Sequence, residues 1–119
     1  MNESILNSIK HAIGGIVESD TSFDQDIIMH INTILMILMH QWYGEDHAFT
    51  ISDSSATWAD FLKDSKDYEG VKSYVALRVR LLFDPPSNSF VINAMNEQIR
   101  ELEWHLFVFK DNERLDALA

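Results

Sequence analysis

Apolar residues recur along this chain at helical spacing, beginning close to the N-terminus. Ile5, Ile9 and Ile13 lie four residues apart, which predicts a short amphipathic helix. Gly14 and Gly15 follow and are expected to end this helix, because glycine readily adopts the left-handed conformation found at helix C-termini.

A second helix is predicted from about Phe23 to Trp42, and apolar residues cover nearly its whole circumference. Such a helix is either central in its domain or meets a partner subunit on its outer face. An adaptable binding surface is one interpretation of its methionines, but we expect them to pack in the core, since methionine fills irregular gaps between other side chains. The apolar positions are Ile27, Ile28, Met29, Ile31, Ile34, Leu35, Met36, Ile37, Leu38, Met39 and Trp42.

The middle of the chain predicts shorter elements. Residues 47–52 are expected to form one short extended or β segment, followed by a polar turn. Thr57 and Asp60 have the spacing of a helix cap, which predicts one or two helical turns. A further helix is predicted from about Tyr68 to Phe83, with Arg78 and Arg80 away from its apolar faces.

Both prolines of the chain stand together after that helix. Pro85 disfavours helical geometry at Asp84, and Pro86 does the same at Pro85, so the helix must stop there. We interpret Asp84, Pro85 and Pro86 as a stiff structural joint that sets the angle between two helices. The next helix is expected to be capped by Ser87 or Ser89.

The last helix, predicted from about Ser89 to Lys110, has a regular apolar stripe. Its members are spaced alternately three and four residues apart, which favours packing against other helices of the same domain. Trp104 and Phe107 lie off this stripe and suggest a second contact, so we include them among candidate interface residues. The stripe consists of Ile92, Met95, Ile99, Leu102, Leu106 and Phe109.

These elements predict a mainly α fold, a small bundle of four to five helices with a long C-terminal helix. Residues 1–110 are expected to form a single domain, since a chain of 119 residues suits one hydrophobic core. Residues 111–119 are mostly polar and are expected to form a frayed or adaptable C-terminal tail.

Charge is unevenly distributed along the chain, which has a net charge of −10. Residues 1–60 contain nine acids and one base, whereas residues 61–119 contain ten acids and eight bases. An anionic chain lacks the main electrostatic contribution to nucleic-acid affinity, so sequence-specific DNA binding is not expected. The asymmetry instead suits a head-to-tail contact between copies of the chain, with the acidic flank of one on the basic flank of the next.

Specific residues follow from that charge asymmetry. We hypothesise that Arg78 or Arg80 meets Asp20, Asp24 or Asp26 of a neighbouring copy. An ion pair within one chain, or simple solvation of the arginines, explains the same pattern and is left open.

The composition also restricts compartment and chemistry. The chain has no cysteine, which excludes disulfides and thiolate metal sites and fits a reducing cytoplasm. The N-terminus is too polar for a signal peptide, and no apolar run reaches the roughly 20 residues that span a bilayer, so no membrane contact is expected.

Motifs for catalysis are not found. The sequence has no glycine-rich phosphate loop, GxSxG or HExxH pattern. His40, Glu45, Asp46 and His47 form one compact group that could offer metal ligands, although surface polarity after a helix end explains it better. We therefore predict a protein without enzymatic activity, metal or cofactor, and keep a metal-dependent enzyme using the His40–His47 region as an alternative.

Three stretches resemble the small head–tail connector, or adaptor, proteins of long-tailed bacteriophages and prophages of Gram-positive bacteria. They are FDQDIIMHINTILMIL, TWADFL and especially VKSYVALRVRLLFDPPSNSFVINAMNEQIRELEWHL. The resemblance covers about residues 20–106. It carries no catalytic signature, so it concerns a scaffold, and it is weakest at MHQWYGEDHAF and after Leu106.

The resemblance implies a structural protein of the virion, located at the head–tail interface after assembly in the host cytoplasm. It implies a ring homo-oligomer below the portal protein that is a monomer in solution, extends the DNA exit channel and binds a stopper or tail-completion protein. DNA would pass through without specific binding, helped by acidic walls that repel phosphate. The alternative from another functional class is a small acidic regulator that sequesters a basic protein.

Overall fold

Helix α1, Ile5–Gly14, is the amphipathic helix predicted from the first apolar stripe. The computed structural model describes residues 2–43, 49–62 and 68–118. The Ser4 side chain accepts a hydrogen bond from the backbone N–H of Asn7 at 3.2 Å and so caps the N-terminus of α1. Gly15 follows with a φ of 65°, and its N–H donates to the carbonyl of His11. The predicted glycine end of α1 is therefore confirmed.

Helix α2, Asp24–Tyr43, lies within one residue of its predicted bounds at each end. One side of α2 is buried in the bundle, with Ile27, Ile31 and Ile34 fully inaccessible to solvent. The prediction that the methionines pack in the core is wrong for Met29 and Met36, which are 58% and 59% exposed. Both lie on the face of α2 opposite the buried isoleucines. Trp42, another of the predicted apolar positions, has its side chain outside the described part of the structure.

Helix α3, Trp58–Leu62, is the short helix predicted from its cap. The N–H of Thr57 donates to the Asp60 carboxylate at 2.9 Å, and the N–H of Asp60 donates to the Thr57 hydroxyl at 3.3 Å. This reciprocal pair is a capping box. The Trp58 indole is buried, and its N–H donates to the Ser8 hydroxyl of α1 at 2.8 Å.

The segment before α3 is held by a side chain rather than by a neighbouring strand. The Asn32 amide of α2 donates to the carbonyl of Ile51 at 3.0 Å, and its oxygen accepts from the N–H of Ile51 at 2.8 Å. Within the described part of the predicted extended segment, residues 49–52, no strand is formed. Residues 47 and 48 of that prediction lie outside the described residues.

Helix α4, Tyr68–Phe83, has its predicted bounds. Its last turn closes with the N–H of Asp84 donating to the carbonyl of Arg80 at 2.9 Å, and Pro85 comes next. The following helix is capped by Asn88, whose side chain accepts from the N–H of Phe90 at 2.8 Å. The prediction of a serine cap at Ser87 or Ser89 is therefore wrong, although asparagine satisfies the same free N–H groups.

Helix α5, Ser89–Leu118, is 30 residues long and extends beyond the predicted end at Lys110. At 1.5 Å per residue it measures about 45 Å, close to the longest dimension of the molecule, 46 Å. Met95, Ile99 and Leu106 of the predicted stripe are buried, and Phe109 has its side chain outside the described part. The backbone stays helical to Leu118, so α5 includes most of the predicted C-terminal tail.

Helix α4 is the centre of the bundle and packs against α1, α2 and α5. Val71, Tyr74, Val75 and Val79 of α4 are inaccessible to solvent, because neighbouring helices cover these positions. The fold is mainly α, as predicted. Its core leaves one side of α2 and one side of α5 uncovered.

Candidate assembly surfaces

The outer side of α5 exposes large apolar side chains. Trp104 is 71% exposed and Phe107 is 59% exposed, while Phe90 near the start of α5 is 82% exposed and Leu115 near its end is 58% exposed. Solvated helices normally present polar groups on this side. Trp104 and Phe107, which we predicted as contact residues, are therefore exposed and available to a partner.

The outer side of α2 is uncharged. No Asp, Glu, Lys or Arg occurs between Asp26 and Glu45, so the exposed positions of α2 after its first turn are occupied by Met29, Thr33, Met36 and other uncharged or histidine side chains. Interface centres are typically depleted in charge and enriched in methionine. The sequence analysis gave a partner contact on the outer face of α2 only as an alternative, and the long uncharged run together with the methionines was a further signal for it.

A polar group of three side chains joins α4 to α5. The hydroxyl of Tyr74 donates to a Glu103 carboxylate oxygen at 3.0 Å and accepts from the Arg78 guanidinium at 2.7 Å. The same guanidinium lies 3.6 Å from the Glu103 carboxylate. Burial, and after it the hydrogen bond to Glu103, raises the pKa of Tyr74 to about 12. These contacts help fix α5 on the core beyond the proline joint.

A second polar group holds the loop between α1 and α2, and sequence analysis missed it. Lys10, the single base of the first half of the chain, is 1% exposed. Its ammonium lies 2.9 Å from an Asp24 carboxylate oxygen and donates to the carbonyls of Asp20 at 2.7 Å and Glu18 at 3.3 Å. The available signal was its position four residues after Leu6, on the apolar side of α1.

Some of the charged residues in the predicted contact between copies already have partners within the chain. Arg78 and Asp24 each have a partner within the chain, as described above. Arg80 donates from Nε to the backbone carbonyl of Asp84 at 3.4 Å. This hydrogen bond is long, and it brings no carboxylate to the Arg80 guanidinium. Asp20 accepts a hydrogen bond from the N–H of Ser22, and hydrogen bonds from Ser22 lower the pKa of Asp20.

The proline joint lies beside the start of α2. The rings of Phe23 and Phe83 meet edge to face, with centroids 5.5 Å apart. Asp26 and Asp84 line the same shallow groove as these two rings. The structure therefore brings one predicted interface residue, Asp26, next to the predicted joint.

The described residues do not assemble a metal site. Within residues 2–43, 49–62 and 68–118, no three histidine or acidic side chains lie close enough together to hold a metal ion. His40 is exposed at the end of α2. Glu45, Asp46 and His47 lie outside the described residues, so the metal alternative for this region is untested.

The helices were compared with the dimensions of a bilayer. None of those in the described part of the chain combines the length and apolar character that crossing a bilayer requires.

Comparison with known proteins bears on the functional classes left open by the sequence. The model of a family described as phage connector protein matches residues 5–113, from the first residue of α1 into the last turns of α5. The chain belongs to this phage connector family. No curated protein and no solved structure matches it. Membership supports a structural role in joining phage head and tail, and association with other head or tail proteins.

Proposed function

We propose that this connector forms a homo-oligomeric ring below the portal of a long-tailed phage or prophage of a Gram-positive host. The ring would extend the DNA exit channel and present a platform for a stopper or tail-completion protein. The observation that carries this proposal is the family match over residues 5–113, which includes nearly the whole helical bundle. The proposed location is the head–tail interface of the virion, reached from the host cytoplasm during assembly.

The uncovered faces of α2 and α5 support assembly with other chains. Burial of Trp104 and Phe107 in a protein contact would be favourable, because each of these exposed aromatic side chains would remove a large apolar area from water. The small size of these faces is consistent with a monomer in solution that forms a ring only on the portal template.

The net charge of −10 supports passage of DNA through the ring without specific binding. Carboxylates that line a channel repel phosphate, so the DNA is not held during packaging or ejection. The proline joint supports the same role, because the subunits of a ring need a constant angle between α4 and α5. Proline at Pro85 and Pro86 restricts the backbone there.

Arg80 is the better candidate of the two arginines for an ion pair between copies, with Asp20 or Asp26 of the next subunit. Arg78 already contacts Glu103 within its own chain. Arg80→Glu is expected to leave the monomer folded and to reduce incorporation into particles. Reversal of Asp26 to Lys in the same chain should restore part of the loss, because a direct pair shows coupling in a double-mutant cycle. Normal particles with Arg80→Glu would remove this pair from the proposal.

The test of the proposed function is deletion of the gene from the phage or prophage that encodes it. Electron microscopy of the resulting lysate should show heads without attached tails. Expression of the intact chain from a plasmid should restore complete particles. Tailed, infectious particles in the absence of the protein would contradict the proposal. A stable one-to-one complex with a basic protein, and no association with particles, would favour the acidic-regulator alternative.

A further inference from the structure

We draw no further inference here: the strongest candidate, the groove beside the proline joint that Phe23, Phe83, Asp26 and Asp84 line, has two exposed carboxylates with no second observation that points to a ligand, and Arg80 of the same chain already places a positive charge beside them.

Discussion

Replacement of Lys10 by methionine should strongly destabilise the fold. The Lys10 ammonium is buried against the Asp24 carboxylate at 2.9 Å and donates to the carbonyls of Asp20 and Glu18. Methionine preserves most of the apolar stem, so Lys10→Met removes the charge and its donors while leaving the packing of α1 nearly unchanged. The remaining Asp24 carboxylate, 20% exposed, then has a negative charge without its buried partner.

The expected cost is about 3–5 kcal/mol in the free energy of unfolding. Removal of one partner from a buried ion pair typically costs this much, because the other charge stays desolvated and uncompensated. The two carbonyls lose a charged donor as well, while partial exposure of Asp24 lets water return and limits the total. A loss of this size is a large fraction of the 5–15 kcal/mol that stabilises a typical domain.

Urea unfolding at pH 7, followed by circular dichroism at 222 nm, measures this cost. Lys72→Met is the matched control: Lys72 lies 2.9 Å from Glu3, but the two side chains are 27% and 44% exposed. Removing an exposed pair should cost about 0–1 kcal/mol. If Lys10→Met and Lys72→Met cost the same small amount, the argument that Lys10 anchors the loop between α1 and α2 is refuted.

Three further predictions concern α4, the joint and α5. Ile99→Ala should cost about 2–5 kcal/mol as a buried truncation, and Arg100→Ala less than about 0.5 kcal/mol; equal costs in urea unfolding would contradict the packing of α5. Alanine at both Pro85 and Pro86 should keep the helical signal and lower stability by about 1–2 kcal/mol through greater freedom of the unfolded chain, so an unchanged or higher melting temperature would exclude the stiff joint. The raised pKa of Tyr74, about 12 against 10.0, stabilises the fold below pH 10, and this contribution falls as pH rises toward 12. Tyr74→Phe should therefore be less stable than the unmodified chain by about 1–2 kcal/mol at pH 9, and that difference should shrink by pH 11.5; a constant difference would contradict it.

Local signals in the sequence were enough for most of the helical fold. The bounds of α4 follow from the Pro85–Pro86 pair, whose effect on the backbone does not depend on distant residues. The inner stripe of α5 was readable because burial repeats with the period of the helix, and Ile99 and Leu106 are both buried. The capping box at Thr57 and Asp60 is likewise contained within four residues.

Contacts between distant residues were not readable in the same way. Asn32 holds Ile51, which lies nineteen residues further along the chain, through a pair of hydrogen bonds. No local sequence pattern indicates such a contact. The interior of α2 was predicted, but composition alone could not say that Met29 and Met36 face outward, because apolar residues surround the helix. The internal partners of Arg78 and Asp24 likewise depend on the packing of α4, α5 and α1.

The most direct test of the connector ring is a cryo-electron microscopy map of the head–tail junction of particles that carry this protein. The map should be reconstructed without imposed symmetry at that junction. We predict a closed ring of copies of this helical bundle between portal and tail. A junction without this protein, or one that holds single copies bound only to another chain, would contradict the account.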